Sequence, residues 1–349
     1  MKSYFSIYWV VAIQVGLIFL FLSSCMSKNI FSRVIHLDGP TMGTKYHVSI
    51  NESLPKKEYQ VLHQEIDAIL ESINEKMSTY QGDSELSHLN LNPDTTWINI
   101  SPDLFSVVDE AMYVSRITNG AFDITVGDLV NLWGFGPSIQ SSIVPSDASI
   151  DRVMRGVGYK HLHVQRASSS IRKDIPGLYI DLSGIAKGYA VDQVALHLES
   201  QGVMNYLIEI GGELKANGKN KNNIGWEVII ERPVPLVREK YAAVNLRNMA
   251  IATSGDYRNY IERDGKRFSH TINPSTGKPI THTLASVTVI NSSAMRADAF
   301  ATGLMVLGPE KGYEIAVRES LAAFFIVKQN DRFESKSTPM WRKYVSVDI

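Results

Sequence analysis

Between residues 59 and 77 the apolar side chains Leu62, Ile66, Ile69, Leu70, Ile73 and Met77 recur at intervals of three and four, which gathers them on one face of a helix. That stripe has to be covered by a sheet or by other helices. A second helix is predicted from Ser101, whose hydroxyl can accept from a backbone N–H of the first turn, with Pro102 placed where its missing N–H costs nothing. It turns Leu104, Val107, Val108, Ala111 and Met112 inward and stops before Asn119-Gly120. Short alternating runs predict strands at 44–50, 205–216, 226–231, 243–254 and 285–290. Asp264-Gly265 reads as the turn of a hairpin joining 257–263 to 266–272, and Asn273-Pro-Ser-Thr-Gly277 as a further turn. Ser293 opens a helix over 294–307 that Gly308-Pro309 ends. The later strands follow one another through hairpins, so the expected fold class is α+β: a mixed, largely antiparallel sheet with packed helices, a single large domain possibly in two lobes. No period indicates a repeat array.

The stretch richest in chemistry is Asp181-Leu-Ser-Gly-Ile-Ala-Lys-Gly-Tyr-Ala-Val-Asp192. Leu178 to Asp181 is strand-like, while Val191, Val194, Ala195 and Leu198 return at helical spacing and Gly202 lies just past the end. The order strand end, Gly-flanked polar loop, helix opening presents unpaired N–H groups and partial positive charge, to which Lys187 adds a mobile full charge. This is either an anion-binding loop or a plain connection between two elements. It is not a Walker A loop, whose G-x-x-x-x-G-K-[ST] spacing is absent, nor a nucleophile elbow, since Ser183 lacks glycines two positions to either side.

Further along, Asp298, Ala301 and Thr302 stand at i, i+3 and i+4 of the last predicted helix, so a carboxylate and a hydroxyl share one face. A hard cation such as Mg²⁺ would accept both, with a backbone carbonyl and water or substrate oxygens completing its shell. Equally, Asp298 could be solvated and Thr302 bonded back to its own helix. His270 sits at the end of a predicted strand and offers either a general base or a structural imidazole. The region 121–136, rich in glycine and aromatic residues, is predicted to be a shaped loop; Phe122, Trp133 and Phe135 either face a planar ligand or fill the core beneath it. His161 and His163 would share a strand face without a third ligand and read as surface residues.

Composition narrows the class. At 349 residues, 44% hydrophobic and 20% charged, the chain can bury a substantial core, and a formal net charge of −1 with no Lys/Arg run argues against nucleic-acid binding. At the N-terminus Lys2 precedes a run from Val10 to Leu22 that is apolar apart from Gln14 and Gly16, followed by Leu22-Ser-Ser-Cys25. This pattern resembles a bacterial lipobox, with an uncleaved anchor or an ordinary signal peptide as the alternative. The expected organisation is a signal peptide at 1–24, a lipidated Cys25 and tether at 25–37, and a catalytic domain at 38–349. Cys25 is the only cysteine, so disulfides, thiolate catalysis and cysteine-bound zinc are out of reach.

Nine blocks in order carry a resemblance: Thr41-Met-Gly-Thr44, Met77-Ser-Thr-Tyr80, Ser84-Glu-Leu-Ser87, Gly120-Ala-Phe-Asp123, Asp181 to Gly188, Glu209-Ile-Gly-Gly-Glu213, Thr253-Ser-Gly-Asp256, Ser269-His-Thr-Ile272 and Ala297-Asp298 through Thr302. Together they resemble the ApbE family of FAD:protein FMN transferases over about residues 38 to 327. The resemblance implies a lipoprotein on the periplasmic face of the inner membrane that binds FAD and Mg²⁺. It would transfer FMN to a threonine hydroxyl of flavin-carrying Nqr- or Rnf-type subunits and release AMP. It also implies that Met42, Tyr80, Ala121, Phe122, Asp123, Asp181, Lys187 and Ile272 contact FAD, and that Gly184, Asp298, Ala301 and Thr302 surround the metal, Gly184 and Ala301 through backbone oxygen. His270 is the implied proton acceptor. Ala301 departs from relatives with a second aspartate there, which leaves a water or substrate oxygen to complete the shell. The same machinery could instead let water attack, as an FAD pyrophosphatase, or simply store the flavin as a periplasmic binding lipoprotein.

Overall fold

The first hairpin pairs β1 (Ile35–Thr41) with β2 (Thr44–Ile50) around Met42-Gly43, both at positive φ. The computed structural model describes residues 34–137, 144–234, 239–256, 260–263, 266–330 and 332–344. The predicted signal segment 1–24, Cys25 and the tether up to Arg33 lie outside the described residues, as do Tyr257, Asp264 and Gly265. A small three-stranded sheet follows, with β3 (Ile98–Asn99) and β4 (Leu162–Gln165) on either side of β5 (Ser170–Lys173).

The hairpin β6 (Tyr206–Ile210) and β7 (Glu213–Asn217) returns to the first sheet, and β8 (Trp226–Glu231) pairs with β9 (Lys240–Leu246) as a separate ribbon. Next come β10 (Met249–Gly255), the hairpin β11 (Tyr260–Arg263) and β12 (Lys266–Ser269), and the short pair β13 (Ile272–Asn273) and β14 (Lys278–Pro279). The chain closes with β15 (Leu284–Asn291), β16 (Ala322–Gln329) and β17 (Arg332–Ser337). The main sheet has eight strands in the order β1-β2-β6-β7-β10-β15-β16-β17, and every neighbouring pair is antiparallel.

One face of this sheet carries the helices. Lys56–Met77 buries Leu62, Ile66, Leu70, Ile73 and Met77, the predicted stripe with Ile69 at its margin. Pro102–Ile117 starts at Ser101, whose hydroxyl accepts from the Leu104 N–H at 3.3 Å. Ala186–Ser200 and Ala294–Leu307 lie against the sheet centre and against each other. On the opposite face the β8–β9 ribbon seats Trp226, Val228, Ile230, Val244 and Leu246 on Ile251, Ile290, Phe324 and Ile326. The molecule is therefore layered as helices, sheet and ribbon, the α+β class expected from the hairpin order.

Several local readings change. The stretch 121–136 is not all loop: Gly127–Trp133 is helical and ends at Gly134 in a left-handed conformation, φ 81°. Leu178 to Asp181 pairs with no strand among the described residues; the Asn90 side chain instead accepts from the Ile180 N–H and donates to its carbonyl, at 2.8 and 2.9 Å. The run 205–216 folds as a hairpin turned at Gly211-Gly212, and 243–254 divides at Asn248 between β9 of the ribbon and β10 of the main sheet, all three break residues having positive φ. His161 ends a 3-10 turn, off the strand that carries His163, and His163 pairs with Asp174 at 2.7 Å.

Candidate active site

Two helices meet backbone to backbone at the site. A Cβ on Gly188 would stand 2.4 Å from the Ala294 carbonyl oxygen, so only glycine permits this approach. The contact lets the Gly188 N–H donate to Asp298 Oδ2 at 3.1 Å, across from one helix to the other. One turn further on, Asp192 caps the partner helix: its carboxylate accepts from the Ala294 and Met295 N–H groups at 3.1 and 3.0 Å and from the Ser293 hydroxyl at 2.7 Å. Lys215 holds that carboxylate in place with a 2.7 Å ion pair.

Lys187 is not the mobile charge expected from sequence. Its ammonium lies 3.1 Å from Glu213 Oε1 and 3.8 Å from Asp298 Oδ2, between two buried carboxylates. Burial works against the ammonium, but the charges of Asp298 and Glu213 outweigh it and raise the lysine's pKa above the ordinary value. Burial is the main effect on Glu213, pushing it up to about 8 against the pull of Lys187, with the Asp298 charge adding to the rise. Asp298 is raised too, chiefly by burial, despite Lys187 and the Gly188 N–H. Two carboxyl groups and one ammonium thus share a cavity wall, with Glu213 Oε2 buried and without a hydrogen-bond partner.

The cavity has a volume of about 880 Å³. Of the residues singled out from sequence, Ala121, Phe122, Asp123, Asp181, Gly184, Lys187, His270, Ile272, Asp298 and Thr302 line it. Met42, Tyr80 and Ala301 do not. Met42 occupies the β1–β2 turn, and Tyr80 is 71% exposed with its hydroxyl donating to the Phe135 carbonyl at 3.2 Å. Ala301 is buried beneath the helix surface. Asp123 ties the loop together: Oδ1 accepts from the Thr125 N–H and hydroxyl at 2.8 and 2.7 Å, and Oδ2 from the Tyr159 N–H at 2.7 Å. Asp181 accepts from the Ser183 N–H at 2.7 Å, shaping the loop that leads to Gly184. The His270 ring meets the edge of Phe135, with centroids 6.4 Å apart.

The donor set suits a hard cation. Asp298 contributes a carboxylate whose Oδ2 takes both protein contacts, which leaves Oδ1 for a ligand. Thr302 Oγ1 lies 3.2 Å from where a Cβ on Gly184 would stand, so the absence of a side chain at 184 keeps backbone and hydroxyl close. Among the described residues no three His, Cys, Asp or Glu side chains converge on a metal position. A hard cation such as Mg²⁺ would be held here by the Asp298 carboxylate, the Thr302 hydroxyl and the Gly184 carbonyl, with water or substrate oxygens as further ligands. The Ala301 methyl adds no donor.

Sequence reasoning gave no role to Glu213 or to Asp192. The pair Gly211-Gly212 ahead of Glu213 was the available signal: a glycine turn in a hairpin delivers the next side chain to a fixed place, here onto Lys187. A Cβ on Gly211 would meet the Lys187 Cδ at 3.1 Å, so the turn also closes over the lysine stem.

Fold and site together define an α+β enzyme that sets a carboxylate–ammonium cluster and an imidazole around one large cavity. The chain belongs to the ApbE family, whose model matches residues 42–325. It is 43% identical over 312 residues to the FAD:protein FMN transferase of Vibrio cholerae, covering 89% of this chain and 93% of that one. It is 40% identical over 321 residues to that of Escherichia coli K12, covering 91% of each. Among solved structures, the flavin transferase ApbE from Vibrio cholerae superposes with a TM-score of 0.82 at 42% identity, over 90% of this chain and 99% of that one. The ApbE protein of Thermotoga maritima gives 0.79 at 26% identity, over 90% and 100%.

Proposed function

We propose that this chain transfers the FMN moiety of FAD to a threonine hydroxyl of a flavin-carrying protein subunit of the Nqr or Rnf type, with Mg²⁺, and releases AMP. The observation that carries the reading is the Lys187–Asp298–Glu213 cluster at a helix N-terminus on the wall of a cavity that also holds His270. Phosphoryl transfer needs positioning and positive potential more than covalent chemistry, and this cluster supplies both. Names borne by relatives at 40 and 43% identity support the same activity.

The hydroxyl oxygen of the acceptor forms a bond to the flavin-side phosphorus as that phosphorus loses its bond to the bridging oxygen, and AMP departs. His270 takes the hydroxyl proton, a contribution of about 10²- to 10⁴-fold. Lys187, fixed by Glu213, faces the diphosphate with its charge, and the dipole of its helix adds to the field although the Ala186 and Gly188 N–H groups are already bonded to Leu182 and Asp298. Phe122 and Ile272 offer apolar surface to the isoalloxazine ring, with Tyr80 at the rim. Bound between Asp298, Thr302 and the Gly184 carbonyl, Mg²⁺ would offset charge on the diphosphate. Cys25, acylated, would hold the domain at the periplasmic face of the inner membrane.

The test incubates the protein with FAD, Mg²⁺ and a threonine-bearing acceptor domain, then records acceptor mass and released nucleotide. An FMN-sized gain with AMP is expected. Free FMN with unchanged acceptor mass would establish a pyrophosphatase instead, and intact FAD a binding protein.

A further inference from the structure

The cavity reaches beyond the cluster to β8, and there it is lined by five consecutive residues, Glu227, Val228, Ile229, Ile230 and Glu231. Side chains on a strand alternate between faces, so a wall seen by all five must be the edge of the strand. Burial supports this. Val228 and Ile230 are 8% and 3% exposed, with their side chains in the core between ribbon and sheet, so what they present to the cavity is backbone. Ile229 points the other way and is 52% exposed. Among the described residues β8 pairs only with β9, which leaves its other edge, with the amide and carbonyl groups of every second residue, facing the cavity. Folded proteins usually cover or blunt such edges, and an exposed one is a template for an added strand. The residues that the family resemblance assigns to FAD lie elsewhere, on the 121–123 loop, at Asp181 and Lys187, at Ile272, and at Met42 and Tyr80.

We infer that the outer edge of β8 receives the acceptor protein as an extended segment, added as a further strand that carries its hydroxyl into the cavity holding Lys187, Asp298 and His270. This rests on the transfer reading above and names how its protein substrate is held. Main-chain hydrogen bonds to the outward-facing groups of alternate residues within 227–230 give the affinity irrespective of sequence, and Ile229 offers apolar contact to side chains of the docked segment. An extended segment suits a transferase, because it brings a hydroxyl to a recessed phosphorus without unfolding the domain behind it.

Hydrogen exchange on the full chain tests this, with FAD alone and then with the soluble flavin-carrying domain of an Nqr- or Rnf-type subunit, the acceptor's mass being recorded in the same samples. Slower exchange within 227–230, at the amides not bonded to β9, is expected with the acceptor and not with FAD alone. Ile229→Asp should raise the acceptor KM about ten-fold while the KM for FAD and kcat stay unchanged. An acceptor that gains FMN while these amides exchange as before, protection by FAD alone, or an unchanged acceptor KM in the variant would overturn the inference and leave the transfer reading intact. An acceptor that neither gains FMN nor protects these amides would overturn both.

Discussion

At the scale of single residues the site is a problem in charge accounting. Asp298 meets the Lys187 ammonium and the Gly188 N–H through one oxygen, and its charge is the one a cation would need. Asp298→Asn keeps an acceptor for Gly188 but removes that charge, so flavinylation should fall by at least about 10²-fold. Rates measured against Mg²⁺ concentration check this, and a variant with ordinary rates at limiting Mg²⁺ would refute the assignment. Glu213 and Asp298 both have pKa values raised by burial, Glu213 to about 8 from 4.5. A folded state that holds a proton more tightly than the unfolded chain is stabilised below the unfolded pKa and loses that advantage as pH rises through the folded one. The melting temperature of the metal-free protein should therefore drop as pH climbs from about 4.5 to about 8. Glu213→Gln, which cannot ionise, should flatten that slope in thermal melts.

At the scale of elements, the crossing of the two central helices holds the cluster in register. A Cβ at Gly188 would press on backbone atoms of Ala294 and Met295 at 2.4 to 2.7 Å, and backbone cannot swing aside as a side chain does. Gly188→Ala should cost about 1–3 kcal/mol or more and lower the melting temperature, while Gly202→Ala, with nothing within 4 Å, should cost only its positive-φ strain. Comparing the two by denaturant unfolding separates close approach from conformation. The same elements show what the chain declares locally. Helices 102–117 and 294–307 were legible because their caps, Ser101 and Ser293, lie within three residues of the N–H groups they satisfy. The extended stretch at Leu178 was not, since its partner is the side chain of Asn90, distant in sequence. The helix Pro309–Arg318 and strands β16 and β17 went unpredicted: β16 is placed by pairing with β15 across two intervening helices, and β17 follows as the return arm of a hairpin, with Gln329 opposite Arg332. Within the site, Lys187 and Asp298 stood out through helix position and spacing, whereas Glu213 gains its role only when a hairpin folds it onto Lys187.

For the whole molecule, the proposed lipid anchor at Cys25 makes a prediction of its own. Among the described residues no helix is long and apolar enough to cross a bilayer, and a net charge of −1 gives no general attraction to anionic lipid. On the proposed reading, attachment rests on the acyl chains of Cys25, where two or more chains hold a protein firmly and one holds it only marginally. From Cys25 to Val34 the chain spans nine residues, at most about 32 Å when fully extended. If enzyme and acceptor share one membrane, such a tether would raise their effective concentration for each other without any new contact. Cys25→Ser should therefore shift the protein from the membrane to the soluble fraction on cell fractionation. Its rate toward a soluble acceptor domain should be unchanged, and its rate toward the same domain in its membrane-bound subunit should fall several-fold. If the variant still sediments with membranes, or if both rates fall together, the anchor is not the lipid and the cysteine acts through the fold.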